Sequence, residues 1–339
     1  MDLSIAVVTY NSEKTIYNCL ESLAIATSNY KSGQVEIIVI DGCSTDNTYQ
    51  IIQENFPEVL VFQNSDKYIA SNRNQTLKKS KYPFLVFTDS DCTVPNEWLN
   101  KLCNWYIFLT QKVQITNLAG LGGGNILAYP ETFFQKGYNL VKNSFLGSLN
   151  SIQGRLYSSV QEVESLATLN VLYNKSILKQ VHGFDDKLQN LGEDYDLNYR
   201  IRQRGYKLYS VPDCHVWHIY PKHYHQWAKK MFLYGTGRTQ LVLKHKSLFN
   251  FKYFLAVLFL PIMMLSFVHK IGLLIPCSYL LLIFTFCTYK SIPSSNPLLI
   301  FASFLSLMTT HICYCAGILY KLLFMSACWG FCKLGGMIK

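Results

Sequence analysis

Three groups of carboxylates stand where chemistry could be done. In FLVFTDSD, residues 84–91, an apolar run ends in Asp89 and Asp91 at i and i+2. Side chains alternate along a strand, so carboxylates at that spacing can point to one side. Such a pair suits a hard divalent ion that takes oxygen ligands and completes its shell with phosphate oxygens and water, and the ion can stabilise a departing diphosphate. The same letters also fit a polar turn after a strand. In GEDYDLNYRIRQRG, residues 192–205, Glu193, Asp194 and Asp196 fall in the first turn of a helix, and Arg200, Arg202 and Arg204 in its last turns. That arrangement complements the helix dipole, and Asp196 with Arg200 forms an i,i+4 pair. It also offers one carboxylate as general base toward an attacking hydroxyl. In VEIIVIDGCSTDNT, residues 35–48, Asp41 follows an apolar run, where it can accept hydrogen bonds from a ribose or base, and Asp46 can cap the next helix.

The elements that must hold these groups alternate along the first hundred residues. Residues 4–9, 35–40, 59–63 and 84–88 read as strands, and 15–26, 46–55 and 70–79 as helices. Strands apolar at every position and joined by helices indicate a parallel sheet covered on both faces. Such sheets bind ligands at the carboxyl ends of their strands. Farther on, 175–180 and 193–204 read as helices, 183–186 as a turn, and the glycine-rich GLGGGN at 120–125 as a loop, because Asn125 breaks a GxGxxG pattern.

Charge divides the chain. All 21 acidic residues lie at or before Asp213, whereas 12 of the 31 basic residues lie after residue 221. The net charge of +10 therefore marks no nucleic-acid binder, because the excess sits among apolar sequence, where an anionic membrane surface is the fitting partner. Residues 222–252 carry seven Lys or Arg with His223, His225, Trp227 and Tyr234, a composition suited to a membrane interface. Apolar stretches follow at 253–268, 271–289 and 298–320, to be weighed against the roughly 20 residues a span needs. The first two could instead form a re-entrant hairpin, since only His269 and Lys270 separate them. Basic residues beside the first span place the preceding domain on the cytoplasmic side of a multi-pass membrane protein. The sequence thus divides into a catalytic domain at 1–221, a basic aromatic segment at 222–252, and membrane helices with a short tail at 253–339.

The eleven Cys form no CxxC, and Cys277, Cys287, Cys313, Cys315, Cys328 and Cys332 lie inside apolar stretches, where Cys acts as a small hydrophobe. A reduced, cytosolic catalytic domain is expected. LSIAVVTYN begins a strand with no basic leader before it, so targeting is expected from the C-terminal part.

Taken in order, several motifs resemble glycosyltransferase family 2, whose members have the GT-A fold. They are VVTYN at 7–11, IVIDGCSTDNT at 38–48, SNRNQTL at 71–77, FTDSD at 87–91 followed by Trp98, HGFDD at 182–186, and GEDYDLNYRIRQRG at 192–205. The resemblance spans about residues 3–220. It implies an α/β nucleotide-diphospho-sugar transferase fold, with a Rossmann-like, mixed but mainly parallel sheet, followed by the helical membrane region. It further implies Thr9 and Glu13 near the nucleotide, Asp41 on the base or ribose, and Arg73 and Asp89 beside the donor diphosphate. Mg2+ or Mn2+ would be held by Asp89 and Asp91, with His218 in CHVWHIYP a candidate further contact to metal or phosphate. Asp194, next to Glu193, would be the base of an inverting transfer, and Asn170, Asp196 and Trp98 would border the acceptor. The implied partners are a UDP- or GDP-sugar donor and a lipid, lipid-linked saccharide, polyprenyl phosphate or exopolysaccharide precursor as acceptor, in work on the cell envelope.

Two departures qualify the transfer of roles. A QxxRW-like segment is absent, which favours one sugar per encounter over processive synthesis. TLNVLYNKSIL stands where a glycine-rich stretch is common, which bears on contacts near Asn170. Two rival readings are a membrane-bound nucleotidyltransferase, which would need a basic glycine-rich phosphate loop that VVTYNSEKT lacks, and an inactive nucleotide-sugar-binding scaffold subunit, against which the full set of carboxylates stands.

Overall fold

The computed structural model describes residues 1–129, 132–142, 144–148, 155–188, 191–294 and 296–335. The side chains of Cys328 and Cys332 and the tail end at 336–339 lie outside the described residues. The chain forms two compact units, Met1–Ala128 with Ser151–Ile219, and Tyr129–Asn150 with Tyr220–Lys339.

The first unit carries strands β1 (Leu3–Thr9), β2 (Val35–Asp41), β3 (Leu60–Gln63), β4 (Phe84–Asp89), β5 (Cys92–Thr93), β6 (Leu118–Gly122), β7 (Asn125–Leu127), β8 (Gln161–Glu162), β9 (Val171–Asn174), β10 (Lys207–Ser210) and β11 (Val216–His218). Eight of them form one sheet in the order β3-β2-β1-β4-β9-β6-β10-β8, and β5-β11-β7 form a small second sheet. Strands β3, β2, β1 and β4 are parallel, as the βαβ alternation requires. All seven residues of β1 are buried, and its period-2 pattern serves two cores. Leu3, Ile5 and Val7 join Leu20 and Leu23 of helix Ile16–Ser28 on one face. Ala6 joins Leu85, Phe87 and Tyr173 on the other.

Strand β9 inserts antiparallel between β4 and β6, making the sheet mixed although mainly parallel, as the resemblance implies. One feature departs from the sequence reading. The GLGGGN segment is not a loop: Gly120 and Gly122 lie in the buried strand β6, Asn125 begins β7, and only residues 123–124 intervene. Glycine is needed because neighbouring backbone comes close. A Cβ on Gly122 would collide with the Asn170 carbonyl, and one on Gly123 with the Cys214 carbonyl.

The second unit is helical. Helix Phe133–Val141 opens with a capping box between Thr132 and Gln135 and packs Phe134 and Tyr138 on Trp227 and Met231. Residues 129–150 thus belong with this unit, whereas the sequence boundary at 221 set them in the first. Helix Tyr224–Lys244 runs along helix Leu298–Gly335, and the approach is close because Gly235 faces the Tyr314 carbonyl and Gly317 the Phe232 carbonyl. Three helical stretches, Phe251–Val268, Lys270–Ser294 and Leu298–Phe324, have 18, 25 and 27 residues and mean hydropathies of 2.1, 2.1 and 1.7. All three are long and apolar enough to cross a membrane.

Candidate active site

The parallel register assembles the site. Thr9 pairs with Asp41, and Val8 with Asp89, so the ends of β1, β2 and β4 present their last residues side by side. Asp41 is fully buried and accepts from the Ser44 backbone (3.0 Å), the Ser44 hydroxyl and Gln63 Nε2 (3.4 Å). Thr9 is 3% exposed, and its hydroxyl has no hydrogen-bond partner among the described residues. Asn11 and Cys43 take left-handed backbone conformations (φ 52° and 56°) in the two loops above these strands. Asn11 Oδ1 then accepts from the Thr45 backbone at 2.8 Å and ties the loops together.

Glu13 completes that tie. Its carboxylate accepts from the Asn47 backbone and side chain, both at 3.3 Å, and its own N–H donates to Asp46 at 3.1 Å. Asp46 stands just before the N-cap of helix Thr48–Asn55 and accepts from the Thr48 N–H at 3.0 Å. Burial pushes the Asp46 carboxyl up, but hydrogen bonds from the Thr48 hydroxyl and backbone and from Glu13 outweigh it and hold it below the usual aspartate value.

Arg73, on helix Ile69–Lys79, joins sequence-distant motifs. Its guanidinium donates to Glu193 Oε1 at 2.6 Å and to Asp89 Oδ1 at 3.0 Å, with Arg73 and Glu193 both buried. Burial works against the guanidinium's charge, but Asp89 and Glu193 overcome it and push the pKa above its ordinary value. Burial pushes Glu193 up, Arg73 opposes this, and the neighbouring Asp194 adds to the rise.

The ring of Phe184 lies 5.7 Å from the Arg73 guanidinium carbon. Asn74 accepts from the Phe184 N–H at 2.8 Å and donates to its carbonyl at 2.9 Å. The HGFDD motif therefore holds Arg73 from behind. The motif turns through left-handed His182 and Gly183 (φ 62° and 65°). Asp196, fully buried, pairs with Arg200 at 2.8 Å, and Arg200 in turn donates to the carbonyls of Val181 and Gly183.

Asp89 and Asp91 serve different partners. Asp89 ends β4 and faces Arg73, while Asp91 lies in the following turn, with its Oδ2 3.3 Å from His218 Nε2. Antiparallel pairing of β5 with β11 matches Cys92 to His218 and so brings this histidine to the turn. Among the described residues, Asp91, Cys92 and His218 form the group able to hold a metal ion. Burial and the charges of Asp91 and Asp89 push the Cys92 thiol well up, which leaves a protonated, soft donor unsuited to a hard ion. The Asp91 carboxylate suits Mg2+ or Mn2+, with phosphate oxygens to complete the shell, and the His218 imidazole is a borderline donor that Mn2+ accepts more readily than Mg2+.

Asp194 sits in the first turn of helix Glu193–Gln203, behind left-handed Gly192 (φ 78°), and its Oδ1 accepts from the Tyr195 N–H at 2.6 Å. Three residues expected at the acceptor are instead scaffold. Trp98 and Asn170 are 1% and 0% exposed and bond to each other at 2.8 Å, and Asn170 also donates to the carbonyls of Gly124 and Cys214. Asp196 is inward-facing because it anchors Arg200. Sequence reasoning gives no role to Asn74 or Phe184, although both lie in the quoted motifs, because their contact joins residues 110 positions apart.

The Glycosyl transferase family 2 profile matches residues 4–140, and the Glycosyl transferase family group 2 profile matches residues 84–333. The chain is 24% identical over 253 residues to the dolichyl N-acetyl-alpha-D-glucosaminyl phosphate 3-beta-D-2,3-diacetamido-2,3-dideoxy-beta-D-glucuronosyltransferase of Methanococcus voltae, covering 73% of this chain and 75% of the relative. It is 28% identical over 210 residues to the UDP-Glc:alpha-D-GlcNAc-diphosphoundecaprenol beta-1,3-glucosyltransferase WfaP of Escherichia coli, covering 60% and 72%. Among solved structures, it is similar to the mannosyltransferase PcManGT from Pyrobaculum calidifontis in complex with GDP-Man and Mn2+. That similarity has a TM-score of 0.58 at 15% identity, covers 94% of this chain and 86% of the other, and supports a GT-A-like fold.

Proposed function

The chain belongs to glycosyltransferase family 2, and from that premise we propose that it moves a hexose-type sugar, with inversion, from a UDP- or GDP-sugar to a lipid-linked acceptor at the membrane. Family membership displaces the nucleotidyltransferase reading. The observation that carries the proposal is the Arg73 bridge, which draws the carboxylate ending β4 and the start of helix Glu193–Gln203 into one place across 120 residues of sequence.

In this reading Asp41 receives the nucleoside, with Thr9 and Glu13 in the loops beside it. Arg73 offsets the charge of the donor diphosphate and positions Asp89. Mg2+ or Mn2+ would be held by Asp91 and His218, where it supplies Lewis-acid stabilisation of the departing diphosphate. Asp194 takes the proton of the acceptor hydroxyl as it attacks the anomeric carbon, and Glu193 stays in its ion pair. The two named curated relatives act on lipid-borne acceptors by their names, and three candidate spans would keep this enzyme beside such acceptors. The basic residues of 222–252 favour a multi-pass arrangement with the catalytic unit facing the cytoplasm. Absence of a QxxRW-like segment favours a single addition.

The test is a thermal-shift and transfer screen of the full chain with UDP- and GDP-sugars, with and without Mn2+. Stabilisation by one nucleotide sugar, greater with Mn2+, followed by transfer of a single sugar of inverted anomeric configuration to a polyprenyl-linked acceptor, is expected. A folded protein that neither binds nor turns over any sugar nucleotide in the panel would remove the proposal.

A further inference from the structure

Cys92 and His218 are opposite residues in the antiparallel match of β5 with β11, and side chains directly opposite stand on one face of a sheet. Asp91 precedes Cys92, and its Oδ2 lies 3.3 Å from His218 Nε2. Its other carboxylate oxygen lies 3.8 Å from Cys92 Sγ. One ligand atom from each of the three residues lies within 4.8 Å of the other two. Cys92 and His218 are buried, whereas the Asp91 side chain is 40% exposed, so two enclosed donors meet a third that borders solvent.

Thiolate, imidazole and carboxylate together are the donor set of zinc, not of magnesium or calcium. Around a tetrahedral zinc ion, bonds of about 2.1 Å to nitrogen or oxygen and about 2.3 Å to sulfur put O···N at about 3.4 Å and S···O at about 3.6 Å. The Asp91–His218 separation matches the first value, and the Cys92–Asp91 separation is close to the second. The solvent side of Asp91 leaves a fourth position for water, as in zinc sites that keep one ligand exchangeable. With such donors Zn2+ binds more tightly than Mn2+.

We propose that Asp91, Cys92 and His218 bind Zn2+, and that this ion inhibits the protein by taking Asp91 and His218 away from Mg2+ or Mn2+. The zinc site stands on its own geometry, and only the inhibition rests on the proposed function. On binding, the Cys92 S–H bond breaks, a Zn–S bond forms, and the proton passes to solvent. Cys92 is the residue that separates the two kinds of ion, because a sulfur ligand strengthens zinc binding and contributes nothing to a hard ion.

The experiment titrates the full chain, in phosphatidylcholine nanodiscs, with Co2+ as a spectroscopic stand-in for Zn2+. Thiolate bound to cobalt gives a near-ultraviolet charge-transfer band that carboxylate and imidazole ligands do not give. Wild type is expected to develop this band and to lose it when Zn2+ displaces the cobalt. Cys92→Ser should abolish the band and weaken Zn2+ binding at least about tenfold, since even changes behind the ligands cost that much. Cys92→Ala, smaller still, repeats the test where serine disturbs the core. Both variants should bind Mn2+ within about twofold of wild type, because the thiol gives a hard ion nothing. Zn2+ should release Mn2+ from the wild-type chain, as read by the Mn2+ electron paramagnetic resonance signal.

A wild-type chain without the charge-transfer band, or a band that persists in a folded Cys92 variant, overturns the site. Mn2+ that stays bound while Zn2+ fills the site overturns the competition. If no sugar nucleotide binds in the donor screen while the Cys92-dependent band is present, the transferase reading falls and the zinc site stands. Sugar transfer by a chain with no Cys92-dependent band overturns the zinc site and leaves the transferase reading in place.

Discussion

Arg73→Met tests whether the bridge between the two acidic motifs holds the site together. The substitution leaves Glu193, whose side chain is 8% exposed, without the guanidinium now 2.6 Å away. It also frees Asp89, but that side chain is 29% exposed and water screens part of its charge, so Glu193 dominates the loss. Removing one member of a buried pair costs about 3–5 kcal/mol, and the lower end applies where the stranded group can take up a proton. At roughly 2–4 °C per kcal/mol, the unfolding midpoint should fall by about 6–12 °C at pH 8.

The pH dependence fixes the sign. Burial already pushes Glu193 up, and loss of Arg73 removes the charge that opposes the push. The folded variant therefore binds a proton more tightly than its unfolded chain, so its stability rises as pH falls and the deficit against wild type narrows from pH 8 toward pH 6. Differential scanning fluorimetry of the full chain reads both effects. The double variant Arg73→Met, Glu193→Gln should recover more than half of the loss, since no buried charge remains. A deficit below about 2 °C, a deficit that widens on acidification, or a double variant no better than Arg73→Met would refute the reasoning.

Asp194→Asn should lower the transfer rate by about 10²–10⁴, the usual worth of a positioned base, with donor affinity within about twofold of wild type; a variant retaining most of its turnover removes Asp194 from that role. His218→Ala should weaken Mn2+ binding by roughly tenfold or more in an isothermal titration with sugar nucleotide present, while the unfolding temperature without metal changes little. An unchanged Mn2+ affinity would exclude the histidine from the metal shell. Asp196→Ala should cost about 3 kcal/mol or more, because it strands Arg200 and loosens the 181–183 turn behind Arg73. Its stability loss, read as a lowered unfolding temperature, should come with a weakened donor shift, and an unchanged donor shift would show that the turn does not steady Arg73.

Much of this protein is legible in one dimension. Continuous apolar runs and βαβ alternation fix β1 to β4 and set Asp41 and Asp89 at strand ends, because these properties depend on neighbours a few residues away. The absence of acidic residues after Asp213 and the length of the apolar runs mark the membrane-competent helices for the same reason: transfer to an apolar medium acts on local composition. The glycines at 120–124 are not legible in this way, because their use appears only when the backbones of β9 and the 214 segment come against them.

Pairing across the fold is decided in three dimensions. Spacing alone treats Asp89 and Asp91 as one convergent pair, whereas sheet order gives Asp89 to Arg73 and the β5–β11 register gives Asp91 to His218. Trp98, Asn170 and Asp196 carry polar groups that look available in a sequence, but each meets its hydrogen-bond demand inside the unit. A residue's type states what bonds it can make. Which bonds are left over for a substrate is settled only after burial has obliged every enclosed polar group to find a partner, and those partners stand as far as 127 positions away in the site and 165 elsewhere in the chain.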